Sequence, residues 1–145
     1  MSKIDKQFER IEAVIGRAAI EDFDKAAGNF FKHLTAHLEL PCEVTGIDDF
    51  RWEEPYVIGG WSLQDYKKLK KTQPSYTDRF QLISIEPELS SEWMMCGFED
   101  IGAHVKRSSD GKKFVLGLSE LKATDKKSSN FRLIDDYAVF FWNNR

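Results

Sequence analysis

The chain is predicted to be an α+β protein in which N-terminal helices cover a curled antiparallel sheet or small barrel. Three observations carry this. Apolar residues recur at helical intervals as far as residue 39, the rhythm changes to alternation after Pro41, and aromatic residues make up 13% of the 145-residue chain. That length and 41% hydrophobic content suffice for one core, so a single domain over 1–145 is expected, helical over 3–39 and mainly β over 42–145.

Ile4, Phe8, Ile11, Val14, Ile15 and Ala18 line one face of a first helix over 3–19, weakened near its end by Gly16. A second helix over 21–39 follows with Phe23, Ala27, Phe30, Phe31, Leu34 and Leu38, and it stops before Pro41 because a residue preceding proline is pushed out of the α region. Cys42 to Ile47 then alternates as a half-buried strand. Phe50 to Ile58 reads as a second strand, at an edge or interrupted by Pro55. Ser62-Leu63-Gln64-Asp65 has the form of a capping box and starts a short helix over 62–71.

Arg79 to Glu86 alternates and is stopped by Pro87, and Glu92 to Phe98 reads as a buried strand. Ile101–Arg107 and Lys112–Leu118 flank Ser108-Ser109-Asp110-Gly111, where Asp-Gly supplies the positive φ of a tight hairpin. Lys122 to Asn130 is polar and reads as a loop, and Asp136 to Trp142 as a terminal strand or short helix. Nothing repeats, and nothing alternates strand with helix as a doubly wound nucleotide fold would.

A net charge of −3 supplies no global field toward nucleic acid or an anionic membrane. No apolar run approaches the roughly 20 residues of a membrane span, and the N-terminal stretch lacks the apolar core of a signal peptide. A cytoplasmic location is expected, consistent with two cysteines, Cys42 and Cys96, read as buried thiols without zinc-ligand spacing.

The densest acidic stretch is Glu43, Asp48, Asp49, Glu53 and Glu54, offset only by Arg51. Carboxylates on a strand end and its turn can converge on a hard cation, since Ca2+ accepts six to eight oxygens at variable angles; Asp48, Asp49, Glu53 and Glu54 are the candidate ligands, although the spacing is not that of an EF-hand. Glu99-Asp100 and Asp135-Asp136 are similar pairs that can fold nearby or stay solvated. His33 and His37, four apart on a helix, share a side that can grip a transition metal, but without the Glu of an H-E-x-x-H motif. The basic run Lys67, Lys68, Lys70 and Lys71 reads as a solvated face before it reads as a phosphate-binding one.

The aromatics Trp52, Tyr56, Trp61, Tyr66 and Tyr76 fall outside the regular apolar rhythm. They are either core and loop packing or a docking platform for a protein or peptide, with Trp52, Trp61 and Tyr76 as its candidate contacts. Catalysis ranks last: nucleophile-elbow and phosphate-loop motifs are missing, and Cys42 or Cys96 with His104 would need a base and an orienting partner.

Two stretches carry a resemblance. Asn29–Leu34 through Leu38–Val44, a helix closing on an apolar-Pro step into a strand, resembles the opening of the small bacterial calcium-binding proteins first known from cyanobacteria. Phe114–Leu121, followed by Ile134–Tyr137 and Trp142, is similar to that family's last strand and closing aromatic segment. Together they cover about a third of the chain, mostly structural positions. The resemblance implies an SH3-like barrel with the N-terminal helices packed on it and a Ca2+ site built from surface carboxylates. The chain departs from the family in its near-balanced charge, 24 acids against 21 bases, and the inserted stretch 52–75 does not align with it in sequence.

Overall fold

A computed structural model describes residues 3–17, 21–94 and 99–144. Helix α1 (Lys3–Ile15) ends at Gly16, whose φ of 72° is the left-handed conformation that glycine adopts without a Cβ penalty. Helix α2 (Phe23–His37) is capped by Asp22, whose carboxylate accepts from the Lys25 N–H. Strand β1 (Cys42–Gly46) follows a cis Leu40–Pro41 peptide. The rhythm change at Pro41 thus marks the junction of helix and sheet.

Five antiparallel strands form an open sheet in the order β4-β3-β2-β1-β5, with β2 at Arg79–Leu89, β3 at Asp100–Arg107, β4 at Lys113–Gly117 and β5 at Leu121–Ala123. A 3-10 turn, Leu118–Glu120, links β4 to β5, so the chain passes from one edge of the sheet to the other. Helix α5 (Ser129–Asn144) packs on this turn and β5 and also on α1 and α2, while α2 itself reaches β2. Its Phe140 stacks on Phe23 and Phe30 at ring distances of 5.3 and 4.9 Å. The shared core joins Ile11, Phe30 and Leu34 with Val44, Phe80, Leu82, Val105, Leu116, Ile134, Tyr137 and Phe141. No helix among the described residues is long and apolar enough to cross a membrane.

Several expectations are corrected. The stretch 50–58 is not a strand: a 3-10 turn (Arg51–Glu53) runs into helix α3 (Glu54–Val57), because Pro55 occupies a first-turn position where its missing N–H has no helical partner to lose. Helix α4 (Leu63–Leu69) forms as expected, with the Ser62 hydroxyl accepting from the Asp65 N–H. Pro87 does not end β2, which continues to Leu89. The register passes from Glu86↔Gly102 to Leu89↔Asp100, so Pro87 and Glu88 bulge outward, where proline needs no ladder bond and Glu88 takes a φ of 52°.

Glu92 and Trp93 lie in a turn rather than a strand, Met94 is buried just after it, and residues 95–98 of that expectation, with Met95 and Cys96, lie outside the described residues. The hairpin forms with Gly111 at φ 78°. The loop expected over 122–130 instead contains the end of β5 and the start of α5, and the terminal segment is a 16-residue helix. Phe8, on the apolar face of α1, remains 44% exposed. Cys42 is half-buried rather than fully enclosed.

Candidate functional site

The excursion from β1 to β2, residues 47–78, carries most of the residues singled out from the sequence. Its shape is set by buried polar groups. The Glu53 carboxylate, with no exposed surface, accepts from the Phe50 N–H at 2.9 Å, the Tyr76 N–H at 3.0 Å and the Tyr66 hydroxyl at 3.0 Å. Tyr66 is pushed up to about 12, first by burial and then by the neighbouring Glu53 charge. Gly46 lets the chain close, since its N–H donates to the Tyr76 carbonyl at 3.0 Å and any Cβ would collide with the Tyr76 backbone.

Arg107 fastens the other end of the excursion. Its guanidinium, 3% exposed, donates to the carbonyls of Lys70, Lys71 and Gln73 and to the carboxylates of Asp78 and Asp110. The same group lies 5.4 Å from the Phe114 ring centroid. Asp110, held by this guanidinium and by the Lys112 N–H, is lowered to about 2.

The four acidic candidates do not gather. Glu53 points inward and is saturated by its three donors, and Glu54 is exposed on α3. Asp48 and Asp49 line a depression of about 300 Å3 with Ile47, Ser119, Glu120 and Trp142. The Ile47 N–H donates to the Glu120 carbonyl at 2.9 Å, which fixes the turn carrying Asp48 against the 3-10 turn carrying Glu120.

Behind that depression Asp100 and Glu120 meet over Gly117, where an added Cβ would lie 2.6 Å from Asp100 Oδ2 and 3.0 Å from Glu120 Oε2. Asp100 accepts from the Ser119 hydroxyl at 2.6 Å and the Tyr137 hydroxyl at 2.6 Å. Its backbone donors are the N–H groups of Ile101 and Ser119. Burial raises the Asp100 carboxyl above the usual range, and these donors oppose the rise. Among the described residues, no three His, Cys, Asp or Glu side chains are grouped closely enough to hold a metal ion as they stand. Glu120 was not singled out in the sequence; the signal available was a single acid inside the leucine-rich run Leu116–Leu121.

Four of the five irregularly spaced aromatics form one cluster. Trp52, Tyr56, Trp61 and Tyr66 stand at successive ring distances of 5.4–6.1 Å, with Tyr56 and Tyr66 stacked. Trp52 is half-buried and donates from Nε1 to the Pro74 carbonyl, whereas Trp61 is 59% exposed at the outer end. Tyr76 stands apart, half-buried against the main core. Val57, Ile58 and Leu63 continue the exposed apolar surface beside Trp61.

The remaining candidates are dispersed. His33 and His37 have ring centroids 4.5 Å apart, and His33 is lowered by burial and by its neighbour. His104 lies 2.8 Å from Glu86, while the Cys42 thiol is raised by burial and bonds toward Asn130, so these two do not form a thiol pair. Asp136 is buried and holds Arg10.

Solved structures with this architecture exist. The crystal structure of Anabaena CcbP aligns with a TM-score of 0.57 and 18% identity over 100% of this chain and 94% of that one. A structure described as a calcium-binding protein in the calcium-binding form aligns with a TM-score of 0.55 and 18% identity over 99% and 97%. The weak resemblance to cyanobacterial calcium-binding proteins read from Asn29–Val44 and Phe114–Trp142 is therefore matched in three dimensions along the whole chain, as a likeness of fold. No protein-family model matches the chain, and no curated protein matches it in sequence.

Proposed function

We propose that this chain binds a divalent cation, Ca2+ first, through Asp48 and Asp49 with Glu120 across the depression they share. The observation that carries the reading is that shared depression: an oxygen-only donor set on a strand end and an adjoining 3-10 turn. Such donors suit a hard cation that keeps several waters, and exposed Asp48 and half-buried Asp49 have room to rotate inward. The calcium-binding description of one structural neighbour supports the same ligand. Glu53 has no part in it, being committed to the excursion. The strand order, with β5 returning across a 3-10 turn to pair with β1, supports an SH3-like, incompletely closed barrel as the scaffold.

Thermal unfolding with added Ca2+ tests the reading. A ligand at ten times its Kd stabilises by about 1.4 kcal/mol, or roughly 3–6 °C in a chain of this size. Wild type should show this rise at millimolar Ca2+, Asp48→Asn with Asp49→Asn should lose it, and Glu54→Gln should keep it. No rise at millimolar Ca2+ refutes the proposal.

A second reading, a protein or peptide interaction surface, rests on the contiguous exposure of Val57, Ile58, Trp61 and Leu63, which range from 44% to 73%. Of the aromatic contacts expected for it, only Trp61 is fully presented; Trp52 supports the ring cluster from within, and Tyr76 belongs to the sheet side.

A further inference from the structure

A cleft of about 910 Å3 opens between α1, α2 and the start of α5, on elements other than those that carry Asp48, Asp49 and Trp61. Lys6 and Arg10 line it from α1, His33 and His37 from α2, and Lys126, Lys127 and Arg132 from the β5–α5 connection and the first turn of α5. Asp135 is the one carboxylate in the lining. Asp136 lies behind and is committed: its two oxygens take the Arg10 guanidinium at 2.9 and 3.0 Å, and Gln7 donates to both Asp135 and Asp136. Among the described residues, Lys6, Lys126, Lys127 and Arg132 make no ion pair.

The cleft therefore sets four unmatched cations against one carboxylate, on a chain whose overall balance is acidic. Like charges brought together around a concavity repel one another, and the field they focus is relieved by an anion of several charges. The volume is that of a small-molecule site, and lysine and arginine donors are suited to phosphate oxygens. Phe131 and Leu133 supply an apolar wall beside these donors.

We propose that this cleft is a binding site for a small polyphosphate-bearing ligand, gripped by Lys6, Lys126, Lys127 and Arg132. The phosphate groups span the α1 and α5 sides, and Phe131 faces whatever organic body the ligand carries. The site is independent of the cation reading, because it shares no residue with the Asp48–Asp49–Glu120 depression.

Calorimetric titration of the full chain with inorganic tripolyphosphate, without divalent cations and at low salt, tests this. One equivalent should bind. Lys126→Glu with Lys127→Glu should weaken binding by about tenfold or more, since two charge-assisted donors to phosphate oxygens are replaced by repelling carboxylates. Lys67→Glu with Lys68→Glu carries the same change of net charge on the exposed face of α4 and should leave affinity within about twofold. Absence of binding, or equal loss in both double variants, overturns the proposal, the second by reducing the effect to net charge. Titration with ATP then separates two sources of the same chemistry. Affinity above that of tripolyphosphate assigns a contact to the nucleoside along Phe131, and equal affinity assigns recognition to the phosphates alone.

Discussion

Replacing Arg107 should loosen the 47–78 excursion and lower the stability of the whole chain. The guanidinium is 3% exposed and makes six donor contacts of 2.7–3.1 Å, three to carbonyls at the end of α4 and three to Asp78 and Asp110. Arg107→Met keeps much of the side-chain volume and removes every donor. Asp78 and Asp110 can rehydrate, being 22% and 33% exposed, but the carbonyls of the turn that follows α4 lose the partner that ties them to β3. Breaking a buried ionic cluster from one side costs about 3–5 kcal/mol, a large part of a typical 5–15 kcal/mol. At roughly 2–4 °C per kcal/mol, the melting temperature should fall by about 6–20 °C. Arg107→Lys should be only a partial rescue, because an ammonium cannot span this planar fork. Urea denaturation gives the loss, and amide exchange locates it: amides of 63–73 should exchange faster relative to those of α2 in the lysine variant. A loss under about 1 kcal/mol for Arg107→Met, or a lysine variant indistinguishable from wild type, would refute the argument.

Asp110 makes part of that contribution dependent on pH. Its carboxyl is lowered from 3.8 to about 2, first by the Arg107 hydrogen bond, so the stabilisation is complete above pH 3.8 and is lost as pH falls through about 2. Urea midpoints of wild type and Asp110→Asn should differ constantly above that window and converge below it. Glu53→Ala should cost about 2–4 kcal/mol by stranding the Phe50 and Tyr76 N–H groups, whereas Glu53→Gln keeps an acceptor for them and should cost less. Glu53→Gln should also bring Tyr66 down from about 12 toward 10 in a phenolate titration; in wild type the stability from this raised hydroxyl is whole below pH 10 and drains away as pH rises through about 12. For the apolar surface at Trp61, selection against a random peptide library should enrich binders with wild type and not with Ile58→Ser plus Trp61→Ser. Equal enrichment by both would discard that surface.

The architecture was legible where one physical signal dominated. The periodicity from Phe23 to Leu38, the proline step at 41 and Asp110-Gly111 each act locally, and each is where the sequence reading places it. The reading failed where tertiary context overrode local pattern. Pro55 is as compatible with a helix's first turn as with a broken strand, and the buried Glu53 carboxylate favours the former by tying Phe50 to Tyr76. Pro87 looks like a stop until the bulge opposite Ile101 gives it room. In the candidate site, Asp48 and Asp49 were legible as a charge cluster, but Glu120 comes from more than seventy residues away and is joined to them only by the closing of β5 on β1. The cation-lined cleft was also hidden, because its lysines and arginines come from α1, from the β5–α5 connection and from the first turn of α5.

The excursion raises a question of stability that the main core does not answer. Between Ile47 and Asp78 the fully buried side chains are few: Phe50 and the polar Glu53 and Ser75, with Pro74. A segment of this size with so little apolar burial cannot offset its own ordering entropy. Its order therefore depends on the two clamps at its ends, Glu53 holding Phe50 to Tyr76 and Arg107 holding the end of α4 to the hairpin. Polar clamps act over short distances and lose their effect together once water enters, so the segment should open as one unit, at a free energy below that of global unfolding. Asp48 and Asp49 lie just before the first clamp, beside the Ile47 to Glu120 hydrogen bond, and Trp61 lies between the two. A cation at Asp48 and Asp49 should consequently protect amides near Ile47 and Glu120 more than those of α4. Uniform protection across 47–78 would instead mean that the excursion closes as a single body around the ion, with the clamps following rather than setting its order.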